Sequence, residues 1–244
     1  MDGEPRFFLY NSIRAYALEK LTAGSSDLDA TYIRHATHFA ELGSPTSLDS
    51  LDSHGGTRRM QNLMVEQDNL REAFDHAIRL NRPAIAVGLS LAVIAVVFRQ
   101  GPYVVGLRLF ERTRALSVPE DREADLYLWG GMLHYRSNQW QRAAELVQAS
   151  LASADRLGNA RGVLRARVRM IYLHRMLREN DSAQAEFQAS EILLETIDDP
   201  VFEGKRLMEC CVQLSNSGQS AEAKEQCEHA LRIFKKAGCT YGIA

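Results

Sequence analysis

The chain has 244 residues, 45% hydrophobic and 25% charged, proportions of a folded globular protein that exclude a disordered or collagen-like one. Its 29 Lys and Arg against 31 Asp and Glu leave a formal net charge of −2, which argues against a main partner that is nucleic acid or an anionic membrane. Four cysteines, Cys210, Cys211, Cys227 and Cys239, form no Cys-x-x-Cys pair and no signal-peptide pattern opens the chain; they read as reduced, buried packing residues of a cytoplasmic protein.

Residues 6–13, Arg-Phe-Phe-Leu-Tyr-Asn-Ser-Ile, are an aromatic and β-branched run that predicts one short strand. Residues 14–21 then read as helix, which Gly24 can end. A second helix over 27–42 carries Leu28, Tyr32, Ile33, Ala36 and Phe39 at helical spacing. Residues 43–56 contain Ser-Pro-Thr-Ser and Ser-His-Gly-Gly and read as a polar loop. A long helix over 57–80 follows, with Met60, Leu63, Met64, Leu70, Ala73, Phe74 and Ala77 on one side. Residues 84–98 are apolar throughout. At ~1.5 Å per residue they cover about 22 Å, short of the ~30 Å hydrocarbon core, so a central helix wrapped by other helices is predicted there.

From this point the chain repeats itself. Asn138-Gln-Trp-Gln-Arg-Ala143, Asn180-Asp-Ser-Ala-Gln-Ala185 and Gly218-Gln-Ser-Ala-Glu-Ala223 each follow one helical stretch and open another, and Gly101-Pro-Tyr-Val-Val-Gly106 has the same layout one step upstream. A period of about 40 residues predicts stacked helical hairpins, none of which can bury its apolar face alone. Small residues (Gly131, Ala143, Ala185, Cys211, Ala223) are expected where the two helices of a hairpin cross. Trp140, Leu146, Phe187, Leu207 and Leu231 are expected to fill the gaps between hairpins. The fold class predicted is all-α, a right-handed superhelix of hairpins over about 83–117, 120–158, 160–199 and 200–239. Residues 237–244 parallel 157–164, so a truncated next repeat is expected at 240–244, in a piece of a longer protein.

Residues 6–21, Arg34-His-Ala-Thr-His-Phe39 and Glu66-Gln-Asp-Asn-Leu-Arg-Glu-Ala73 resemble stretches of large bacterial STAND-type regulators. The first looks like the end of the winged-helix segment behind their ATPase core. Residues 101–116 resemble the first hairpin of their tetratricopeptide (TPR) sensor domain. The resemblance implies a winged-helix remnant over 1–22, a helical linker over 23–82 and TPR-like repeats over 83–244. It also implies a sensor arm that binds an inducer or a partner and acts on an ATPase core. No P-loop and no full winged helix are present in this chain, so neither ATP hydrolysis nor DNA binding is implied for it. His134 takes a position that the TPR pattern fills with a packing tyrosine and is expected in the core.

No catalytic constellation accompanies these repeats. His35 and His38 share a helix face but lack a His-Glu-x-x-His frame, so no metal site is predicted. No Gly-x-Ser-x-Gly elbow and no glycine-rich phosphate loop occur, and no cofactor is expected. The suggestive cluster is basic: Arg161, Arg165 and Arg169 lie four apart on one face that Tyr172 extends, with Arg167, Arg175 and Arg178 nearby. On the concave side of a TPR solenoid such a row could hold a carboxylate or phosphate. The alternative is a solvated face paired with Glu179, Asp181 and Glu186. Tyr127, Trp129 and Tyr135 could add an aromatic wall. The candidate binding residues are therefore Arg161, Arg165, Arg169, Tyr172 and Tyr135. The expected function is non-catalytic recognition of a protein, a peptide or a small anionic inducer, with a protein scaffold lacking a small ligand as the alternative. Nucleic acid and membrane are not expected partners, and a homodimer is left open.

Overall fold

Apolar positions at helical spacing run along nearly the whole chain, and the architecture follows from them. The computed structural model describes residues 10–23 and 28–239. Among these the chain forms thirteen α-helices and two short 3-10 turns, with no strand. The expected strand falls partly outside them, at residues 6–9, and residues 11–13 are the first turn of α1 (Asn11–Ala23). The expected start of a further repeat at 240–244 also lies outside the described residues.

Helices α2 (Leu28–Ala40), α3 (Pro45–Asp49), α4 (Gly56–Val65) and α5 (Gln67–Arg79) lead into α6 (Pro83–Gln100). The long helix expected over 57–80 is two helices, broken at Glu66, whose backbone leaves the helical region (φ −87, ψ 3). Helix α6 begins with Pro83 in its first turn, where the missing N–H costs nothing. It is long and apolar enough to cross a membrane by length and composition. Every residue from Ala86 to Phe98 is buried, because α2, α4, α5, α7 (Tyr103–Arg114) and α8 (Glu120–Arg136) surround it. A helix apolar on all sides needs such a sheath.

The rest of the chain is a stack of hairpins: α6 with α7, α8 with α9 (Trp140–Arg156), α10 (Ala160–Met176) with α11 (Asn180–Leu194), and α12 (Pro200–Asn216) with α13 (Ser220–Ala237). Helices α8, α10 and α12 begin at 120, 160 and 200, and their partners at 140, 180 and 220. This register corrects the sequence alignment. Each second helix is preceded by a residue in the left-handed region, Asn138 (φ 58), Arg178 (φ 62) or Gly218 (φ 82). The structural equivalent of Asn138 is thus Arg178 and not Asn180. In the third hairpin the small buried residue is therefore Ala183, while Ala185 is exposed. Arginine carries none of the turn signal that Asn or Gly does, which hides the turn in the sequence.

The first hairpin meets the second through a ring seated on a glycine. The ring of Phe110 in α7 lies where a Cβ on Gly130 of α8 would be, 2.3 Å away. Trp140, expected to lock neighbouring hairpins, is 37% exposed. It borders a shallow depression with Tyr103, Tyr135 and Met176. It is the first residue of α9. Phe187 and Leu231 are half-buried, whereas Leu146 and Leu207 are buried as expected.

These positions set an expected order of stability. Phe110→Ala should cost about 3–5 kcal/mol, the range for a fully buried phenylalanine. Trp140→Ala should cost less than half as much. Urea denaturation midpoints of the two variants check the order, and equal losses would show that Trp140 packs between hairpins after all.

Candidate functional site

The forty-residue register brings equivalent positions of the first helices to one inner face. The sixth residue of α8, α10 and α12 is Asp125, Arg165 and Lys205; the tenth is Trp129, Arg169 and Glu209. Side chains four apart on a helix share a face, so the hairpins build a groove with a ladder of charges along it.

Residues 43–56 fill that groove instead of looping over the surface. The segment leaves α2 through a close crossing: a Cβ on Gly43 would stand 1.7 Å from the Gly88 carbonyl oxygen of α6. The Arg122 side chain donates to the Gly43 carbonyl at 2.7 Å. Ser44 then caps α3, accepting from the Ser47 N–H at 3.3 Å, with Pro45 in the first turn. A 3-10 turn over Ser50–Asp52 continues the winding, and side chains three apart are nearly eclipsed in such a turn. Leu48 and Leu51 therefore point together into the core, and Asp49 and Asp52 together meet the cations of the groove. Arg59 ties down the far end through the carbonyls of Ser50 and His54. His54 Nε2 lies 3.3 Å from the Lys236 carbonyl at the end of the last hairpin.

The carboxylates of this strap are held from three helices, α6, α10 and α12. Asp49 pairs with Arg165 and, at 3.3 Å, with Arg161. Asp52 pairs with Arg99 and with Lys205, each at 2.8 Å. Arg161 also binds Asp199 at 2.9 Å, the cap of α12. Arg165 reaches within 3.8 Å of Asp125 and lies over the Phe202 ring. Burial pushes the Asp52 carboxyl up, but Lys205 and Arg99 beside it pull it further down, to about 2. Burial lowers the pKa of Lys205, opposed by Asp52. It raises that of Asp125, opposed by Arg165.

Between strap and inner face lies a cavity of about 400 Å³, within the size range of small-molecule sites. Phe98, Leu128, Trp129, Met132 and Phe202 form its apolar wall; Arg161, Arg165, Arg169 and Lys205 face Asp49, Asp52, Asp125, Asp198 and Asp199 across the rest. Among the described residues Arg169 has no ion-pair or hydrogen-bond partner; its guanidinium lies 5.7 Å from the Tyr172 ring.

Of the five residues singled out from sequence, Arg161, Arg165 and Arg169 line this cavity. Tyr172 sits behind them: its hydroxyl hydrogen-bonds Glu209, and burial holds its pKa above the ordinary value. Tyr135 is a correction, because it borders the shallow depression with Trp140 and not the cavity. The aromatic wall is Trp129 with Phe98 and Phe202, without Tyr127 or Tyr135. Of the acidic neighbours expected to pair with the arginines, Glu186 holds Arg167 at 2.8 Å. His134 is half-buried, with its Nδ1 2.6 Å from the Gln139 side chain. The equivalent His174 meets Glu179 at 2.6 Å in the same way. Asp49, Asp52 and Lys205 were missed. One signal for the strap was in the sequence: Leu48-Asp49-Ser50 is repeated at once as Leu51-Asp52-Ser53.

No family model matches the chain and no curated protein resembles it in sequence. Among solved structures, BtubC (BKLC) from P. vanneervenii superposes on it with a TM-score of 0.60. The match covers 89% of this chain and 91% of that one at 17% identity. At that identity the likeness is one of fold, a helical repeat-like architecture.

Glu209 gives the site a pH signature. Burial pushes its carboxyl from 4.5 up to about 7, against the pull of Arg175 and the Tyr172 hydroxyl. A carboxyl raised in the folded state binds more protons folded than unfolded, so its contribution is full below 4.5 and lost as pH rises through about 7. Glu209→Gln should therefore flatten the fall in stability across that window. Urea midpoints at several pH values check this, and an unchanged slope would place the titration elsewhere.

Proposed function

We propose that this chain is the non-catalytic recognition arm of a larger bacterial signalling or transcriptional regulator of the STAND type. Its hairpins are TPR-like, and the inner groove receives the ligand, an anionic group borne by a protein, a peptide or a small inducer. The observation that carries the reading is Arg169, a cation with no direct ion pair or hydrogen bond among the described residues, which acts on Asp52 and Glu209 only at a distance, at a cavity of about 400 Å³ with an apolar wall. An anion with an apolar body satisfies both walls at once, since a guanidinium binds carboxylate or sulfonate oxygens in pairs. The repeat architecture supports the reading too, because stacked hairpins present extended inner surfaces for binding. On this reading the chain works in the cytoplasm, without cofactor, and passes its state to an ATPase core.

An apolar sulfonate, 8-anilinonaphthalene-1-sulfonate, tests the chemistry of the cavity directly. It should bind saturably with energy transfer from Trp129, which Trp129→Phe removes and Trp140→Phe leaves in place. Arg169→Gln should weaken binding at least about tenfold, and added salt should weaken it further. Binding that is unsaturable, or indifferent to Arg169, would overturn the reading.

A further inference from the structure

We infer that residues 44–54 are a ligand mimic held in cis, and that the groove's external partner is an acidic peptide segment carrying two carboxylates three residues apart. This rests on the groove being the recognition surface. Three observations carry it.

The groove is built for two carboxylates. Lys205 is 4% exposed and the Arg165 side chain 12% exposed, and their carboxylate partners in the strap are Asp52 and Asp49. A cation buried this deeply is strongly destabilised once its partner leaves. The strap therefore cannot swing out and leave the groove empty. It can be exchanged for another segment that supplies the same two charges. Asp125 cannot substitute, because it already faces Arg165 from the wall at 3.8 Å.

The strap is a self-contained unit. Its hydroxyls satisfy backbone within it, Ser50 donating to the Ser47 carbonyl at 2.6 Å and Ser53 to the Ser50 carbonyl at 3.1 Å, while Ser47 donates to the Glu41 carbonyl just before it at 2.8 Å. Few of its backbone groups depend on the groove, so removal leaves few of them orphaned. Its apolar grip on the rest of the molecule is Leu48 and Leu51. Its repeated Leu-Asp-Ser places one anchor and one carboxylate per turn, which is how a helical peptide docks in a groove.

The strap also reports on the whole stack. Through Arg99, Arg161, Arg165, Lys205 and the Lys236 carbonyl it touches helices of three hairpins, the first, third and fourth. Exchange for an external segment would release it from all of them together. A tether acts at an effective concentration near the millimolar range, so a partner need only bind more tightly than that to displace it.

The test uses the full chain and, as probe, a fluorescein-labelled synthetic peptide of residues 43–56. Wild-type protein should bind the probe weakly, since its own strap competes. Asp49→Asn with Asp52→Asn should bind it at least tenfold more tightly. A probe carrying both Asn should bind that variant at least tenfold less tightly than the Asp probe. Amide exchange at 44–54 should quicken in the variant while α6 stays protected. Arg59→Gln, which frees the far end of the strap but leaves the groove cations and strap carboxylates alone, should also raise probe binding. Unchanged strap protection and unchanged probe binding in both variants would overturn the inference, as would equal binding of the Asp and Asn probes. Collapse of the whole fold in both variants would do the same by making the strap a permanent strut. If the sulfonate probe still binds Arg169 while the peptide does not, the mimic falls and the groove reading stands; if neither binds, both fall.

Discussion

The buried pair Asp52–Lys205 joins two residues 153 positions apart, and the inner face of the molecule depends on it. Lys205 comes from the last hairpin and Asp52 from the segment that precedes the first. Lys205, 4% exposed, could not stay charged in the interior without this carboxylate. Arg99 from the central helix shares the same carboxylate, so one aspartate fixes the distance between the two ends of the stack. Asp49 does the same one turn earlier, bridging Arg161 and Arg165. Repeat arrays are otherwise held by nearest-neighbour contacts alone. Here the strap adds contacts that run along the length of the array.

The forty-residue register makes that arrangement possible. Because the hairpins begin at 120, 160 and 200, one position of the first helix is delivered to the groove three times, as Asp125, Arg165 and Lys205. Opposite signs at neighbouring steps allow the wall to pair with itself in part. The strap meets the wall's cations at two points, while Arg169 makes no direct ion pair or hydrogen bond among the described residues. The groove thus sets a cluster of paired charges next to an apolar wall.

The opposing shifts of Asp52 and Glu209 follow from how each carboxylate is supported. Two cations, Lys205 and Arg99, outweigh the burial of Asp52. Glu209, with Arg175 and a tyrosine hydroxyl, does not gain enough to overcome its own burial. The strap side of the groove therefore stays charged over a wide pH range, while the far side loses charge as protons become available.

Helical content, hairpin stacking and the central apolar helix were legible in the sequence, because period and composition are local properties that a single chain displays. The apolar run from Ala84 to Phe98 pointed to a central helix, and the anchors near 138, 180 and 218 announced repeats. The register of the third hairpin was not legible, since Arg178 takes a left-handed turn without a residue type that advertises it. Nor was the exposure of Trp140, which depends on where a neighbouring helix ends. The arginine row was visible, but its partners were not. Asp49 and Asp52 lie more than a hundred residues upstream in a polar stretch that reads as a surface loop. Only tertiary structure brings that stretch inside, because ion pairing across a groove is set by spatial proximity and leaves no periodic trace along the chain.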